Sequence, residues 1–145
     1  MIILASDHRG YDLKEALKKF FNEENITTID VGTYSKDSVD YPDYAKAGCE
    51  KVLQDQRNVG IFICGTGNGM SIASNRNPKI RAAICYSEEG AVLSRKDNDA
   101  NVLVLPANFV KPRKAIKIVK VFLTTNFEGG RHARRLDKIS GKAHD

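Results

Sequence analysis

The sequence predicts an α/β domain: a three-layer, doubly wound, Rossmann-like sheet of five parallel strands in the order 2-1-3-4-5, with a basic C-terminal tail. Three observations carry that expectation. Strand-length apolar runs recur at intervals, "IILA", "ITTIDV", "VGIFIC", "RAAIC" and "NVLVL". They are rich in Ile, Val and Leu, as strands buried on both faces are. Helical periodicity separates them, and strands alternating with helices imply right-handed crossovers with helices on both faces. The 145 residues show no repeat, low-complexity stretch or linker-like shift in composition, so one domain, 1–145, is expected.

The first run meets Asp7 without a basic leader, so it reads as a strand rather than a signal peptide. No uncharged apolar run is long enough for a membrane span, and a cytoplasmic protein is expected. Leu13, Ala16, Leu17, Phe20 and Phe21 then form one apolar helical stripe. Pro42 suits a first helical turn, after which Tyr44, Ala45, Gly48, Cys49, Val52 and Leu53 face inward. Further helices are expected near 69–76, 88–97 and 112–125. The last contains "AIKIVKVFL", whose wide apolar girth offers surface for an interface.

Cys49, Cys64 and Cys85 are not spaced as a metal or redox pair, so reduced thiols are expected. Residues 1–110 carry 13 Lys+Arg against 15 Asp+Glu, and residues 111–145 carry 10 against 3. The basic character therefore lies in the tail. With only Phe122 and Phe127 as aromatics and no recognition motif, that tail points away from nucleic acid and toward a small phosphorylated ligand or water.

In the predicted strand order, winding reverses between strands 1 and 3, and ligands bind where their carboxyl ends diverge. That rule names Asp7-His8 and Cys64-Gly65. The second pair opens "CGTGNGM", in which glycines can turn several N–H groups toward one point. The positive end of the following helix is expected to lower the Cys64 pKa, and a thiolate beside such a cradle can remove a proton next to a carbonyl. Alone, the motif equally fits an inert core cysteine. A phosphatase loop would need arginine where Met70 stands, a P-loop its glycine-lysine pair, and a dinucleotide fingerprint a later third glycine. A methyltransferase, with Glu88 and Glu89 after the next strand, stays open.

The segments "ASDHRGYDLK", "TIDVGT", "VDYPDYA", "ICGTGNGMSIASN", "IRAAIC", "SRKDNDANVL" and "NFEGGRHARRLDKI" span nearly the whole chain. As a set they resemble the type B ribose-5-phosphate isomerases, within the family that also holds the galactose-6-phosphate isomerase subunits. The resemblance implies a cofactor- and metal-independent aldose-ketose isomerase acting on ribose 5-phosphate. It implies Cys64 as the base between C1 and C2, with the backbone of Gly65, Thr66, Gly67, Asn68 and Gly69 holding the enediolate. Asp7 and His8 would contact the sugar, Thr66 would orient it or move a proton at oxygen, and Asn98 would bind substrate. Arg131 and Arg135 would bind phosphate. On residue type alone, Asp7 also suits a helix cap, His8 a solvent-facing loop, and the two arginines an exposed basic face.

Two positions depart from the family pattern. Asp97 stands where a histidine usually opens the furanose ring, so ring opening falls to Asp97 first, to His8, or is bypassed by use of substrate already open. Asn108 replaces a phosphate-binding arginine, with Lys111, Arg113 or Arg134 as candidates to compensate. Asp97 and Asn98 precede the last strand and so belong at the opposite end of the sheet from Cys64. If they are site residues, they come from a neighbouring chain, which implies a homodimer or a dimer of dimers. A six-carbon sugar phosphate, or a phosphosugar-binding protein without catalysis, are the rival readings.

Overall fold

The computed structural model describes residues 1–141, and Lys142 of the basic tail lies outside them. Five parallel strands are present: β1 (Ile2–Ser6), β2 (Thr28–Asp30), β3 (Val59–Cys64), β4 (Ala82–Ile84) and β5 (Val102–Pro106). Six helices accompany them: α1 (Tyr11–Glu23), α2 (Tyr41–Val52), α3 (Asn68–Asn75), α4 (Glu88–Lys96), α5 (Pro112–Thr124) and α6 (Arg131–Ile139). The doubly wound α/β class is as the sequence predicts. No helix among the described residues is long and apolar enough to cross a membrane.

The last two strands exchange places relative to the expected order: the sheet runs β2-β1-β3-β5-β4. The reason lies in burial. All five residues of β5 are buried, whereas the three of β4 are only partly so. The longer apolar strand takes the interior position, and "AAI" takes the edge. There the Asn75 side chain bonds both the N–H and the carbonyl of Ala82, at 2.8 and 3.0 Å, occupying backbone groups that no further strand pairs.

Alternation along the strands builds two cores. Leu4, Ile61, Ile63, Leu103 and Leu105 face α1, α4 and α5, while Ile3, Ala5, Phe62, Cys64 and Val104 face α2 and the start of α3. Much of the apolar girth of α5 serves this chain's own core, and the rest is only partly covered. Ala115, Ile118, Val119 and Phe122 are fully buried, and Ile116, Val121 and Leu123 pack against them.

Lys14 of α1 fixes the chain that leaves β2. Its fully buried ammonium lies 2.6 Å from an Asp30 carboxylate oxygen and donates to the Thr33 carbonyl. Lys18 reaches the same carboxylate at 2.9 Å, and the Gly32 N–H donates to it at 2.9 Å. Burial alone would raise the Asp30 carboxyl, but these donors together hold it below the usual range. Burial also depresses Lys14 more than Asp30 restores it; the short contact and the extra donors on Asp30 favour the charged pair. The segment tethered in this way continues into Val39–Asp43.

Candidate functional site

The exchange of β4 and β5 leaves the switch point between β1 and β3 untouched. A cleft of about 590 Å³ opens there, lined by Asp7, His8, Arg9, Val39–Asp43, Cys64, Gly65, Thr66 and Gly69. Of the residues expected at a site, Asp7, His8, Cys64, Gly65, Thr66 and Gly69 thus line one cavity. Gly67, the N-cap of α3, and Asn68, its first residue, belong to the same turn but do not line the cleft.

Cys64 ends β3 on the face that packs against α2 and α3. Its side chain is 4% exposed, yet the residue borders the cleft. Gly67 precedes α3 with φ +83°, a left-handed conformation that turns the chain back over the sulfur. Burial pushes the thiol up, and the N–H groups of Met70, Gly67 and Gly69 pull it down without overcoming burial; the Asp7 charge adds to the rise. The expected lowering of this pKa is therefore not found. The amides are in place, but burial favours the protonated sulfur.

Asp7 is not the N-cap of α1, which is Gly10 and takes no side-chain cap bond; one Asp7 carboxylate oxygen accepts from the N–H groups of Arg9 and Gly10, each at 3.0 Å, in the turn before the helix. That bond sets the entry into α1. The His8 ring is tied across the cleft, its Nδ1 accepting from the Val39 N–H at 3.2 Å. The ring proton is thereby assigned to Nε2, which is left as a donor. Thr66 Oγ1 accepts from the Asn68 N–H at 3.2 Å, which tightens the glycine turn. Tyr41 closes the turn from above; a methyl group on Gly69 would lie 2.6 Å from its ring.

The other expected residues lie elsewhere. Cys64 is level with Pro106 on β5, and Gly60 with Val102. Asp97 and Asn98 precede Val102, so they stand roughly 13 Å or more down the strand axis from the thiol. Asn98 lines a second cavity of about 570 Å³ with Arg81, Ala100, Leu136 and Ile139. Asp97 caps the end of α4 and meets His132 of α6, Oδ1 to Nε2, at 3.5 Å. Arg131 and Arg135 share α6, as their spacing implies, and line neither cavity. Asp97, Glu128 and His132 form the one group of possible metal ligands among the described residues, and the Glu128 carboxylate there pairs with Lys96 at 3.3 Å.

Sequence reasoning missed Arg9, Tyr41, Asp43 and His132. The first three are brought to the cleft by the turn after β1 and the first turn of α2, which meet only in the fold, and His132 is buried against Asp97 by the docking of α6. The methyltransferase reading loses its geometry: Glu88 and Glu89 follow β4, which β5 separates from the glycine turn. Cys49, Cys64 and Cys85 are all unpaired and buried.

Residues 2–139 match the model of a family described as Ribose/Galactose Isomerase. Over 97% of each chain, the structure superimposes on a ribose 5-phosphate isomerase from Thermotoga maritima with a TM-score of 0.94 and 48% identity. The ribose-5-phosphate isomerase B of Mycoplasma genitalium, solved with bound ribulose-5-phosphate, gives a TM-score of 0.91 at 42% identity, over 97% of this chain and 93% of that one. The ribose-5-phosphate isomerase B of Escherichia coli is 40% identical over 96% of this chain and 93% of its own.

Proposed function

This chain belongs to the ribose/galactose isomerase family, and from that premise we propose that it interconverts D-ribose 5-phosphate and D-ribulose 5-phosphate through an enediolate. The observation that carries the assignment to a site is the placement of one thiol, beneath the amides of Gly67, Gly69 and Met70, at the wall of a cleft that also presents Asp7 and His8. Cys64, as thiolate, takes the hydrogen from C2 of the open aldose. The electron pair left behind forms the C1–C2 double bond, and O1 becomes the oxyanion. Once the sulfur carries the proton, the amides that faced it, with those of Gly65, Thr66 and Asn68, are positioned to hold the enediolate oxygens. Thr66 and the Nε2–H of His8 serve the transfer of a proton from O2 to O1. Cys64 then returns its proton to C1, and the ketose is complete without a cofactor.

Ring opening and phosphate anchoring involve Asp97, Asn98, Arg131 and Arg135 in this reading. Their distance from Cys64 within one chain favours their supply by a second copy, so that the working form is a homodimer or a dimer of dimers. Asp97, backed by His132, takes the proton step of ring opening. A cytoplasmic setting is part of the same proposal.

Solvent deuterium incorporation into ribose 5-phosphate is the deciding experiment. Label at C2 of the aldose and C1 of the ketose supports the proton transfer. Binding without label would identify a phosphosugar-binding protein instead. Because the family description includes galactose, the same assay on six-carbon phosphates decides substrate size.

A further inference from the structure

The charges around the cleft fit a sugar phosphate poorly at first sight. Asp7, Asp40 and Asp43 line it, and the arginines assigned to phosphate lie on α6, away from it. One guanidinium lines the cleft, that of Arg9. Arg9 is exposed, and among the described residues its side chain forms no ion pair or hydrogen bond. It lies across the first glycine of the turn. A methyl group built on Gly65 would be 2.9 Å from Arg9 Cδ and 3.4 Å from Nη1, with the Asn108 amide nitrogen at 3.3 Å. The Asn108 side chain is brought there by its own N–H, which donates to the Gly65 carbonyl at 2.8 Å.

Resting on the isomerase reading above, we propose that Arg9, with the Asn108 amide beside it, is a phosphate anchor contributed by the same chain that contributes Cys64. Guanidinium binds phosphate through two parallel N–H bonds and holds its charge at every working pH. A guanidinium with no partner, amid three aspartates, is a position that a dianionic ligand would complete. Lys111 and Arg113 open α5 at the same end of the sheet but line neither cavity, and Arg134 is on α6 at the other end. Arg9 therefore supplies the positive charge that Asn108 cannot.

The test compares the full-length wild type with Arg9→Ala, Arg9→Lys and the double variant Arg9→Ala/Asn108→Arg. Arg9→Ala is expected to weaken ribose 5-phosphate binding by about tenfold to a hundredfold in calorimetry, the range for a lost hydrogen-bonded charge. KM should rise by a similar factor while kcat stays within about threefold, and the inhibition constant for inorganic phosphate should rise in parallel. Lysine should restore binding in part, and arginine at 108 should recover most of it. Unchanged affinity for both ribose 5-phosphate and inorganic phosphate in Arg9→Ala would overturn the anchor, whatever the turnover. Absence of label transfer by the wild type, with binding still dependent on Arg9, would instead remove the isomerase reading and keep the anchor.

Discussion

The Lys14 ammonium, sealed from solvent, lies 2.6 Å from the Asp30 carboxylate, and the pair tethers the segment that walls the cleft opposite the thiol. Lys14→Ala leaves Asp30 with Lys18 alone and the Thr33 carbonyl without its donor. A loss of about 3 kcal/mol is expected, the lower end for breaking a buried pair because Lys18 remains. Denaturant titration checks it, and a midpoint within error of wild type would show the pair to be dispensable.

The same carboxylate gives the fold an acid limb. Asp30 is held below the ordinary carboxylate range, so its contribution is complete above about pH 4 and is lost as pH falls through its depressed pKa. Thermal unfolding of wild type and Asp30→Asn across pH 2 to 7 should converge at the acid end and separate above about pH 4, with wild type the more stable. Parallel curves would disprove the linkage.

Cys64 titrates upward of an ordinary thiol because burial outweighs the three amides. The active thiolate of the free protein is therefore the minor form at neutrality and gains population as pH rises, so kcat/KM should climb from neutrality with a slope approaching one log unit per pH unit. Cys64→Ala should cut turnover by about two to four orders of magnitude with an unchanged circular dichroism spectrum. A pH profile already flat at 7 would contradict the burial argument.

Gly69→Ala drives a methyl group into the Tyr41 ring. The ring is exposed and swings aside, so the cost falls below the roughly 1–3 kcal/mol of core overpacking, and the ring leaves the rim of the cleft. Adding Tyr41→Ala should recover most of the stability lost to the methyl group. Failure of the second change to relieve the first would place the clash elsewhere.

The proposal that sites are shared between copies is open to a mixing experiment. Cys64→Ala and Asp97→Asn chains, each impaired alone, form hybrids with one intact site if Asp97 acts across the interface. Unfolded and refolded together, they should regain about a quarter of wild-type sites, as random pairing of a symmetric dimer dictates. No recovery would confine each site to a single chain.

Much of this was legible in the sequence because it depends on local patterns. The period-2 strands, the stripe of α1 and Pro42 at the start of α2 each follow from neighbours along the chain. Cys64 and Asp7 could be paired because the switch-point rule converts strand order into proximity. The exchange of β4 and β5 was not legible: which strand is interior depends on a competition between "AAI" and "VLVLP" that no window contains. Arg9 escaped notice for a related reason. Its side chain gains meaning only beside Gly65 and Asn108, 56 and 99 positions away in numbering. The Cys64 pKa went the other way because a motif reveals donors and conceals the cost of removing water.

The side-chain amide of Asn75 gives the outer rim of β4 a small lid. A bare rim would invite another molecule's backbone to zip on and continue the sheet without limit. One asparagine, by imitating the missing neighbour, occupies the two groups at Ala82 on which such an addition would start.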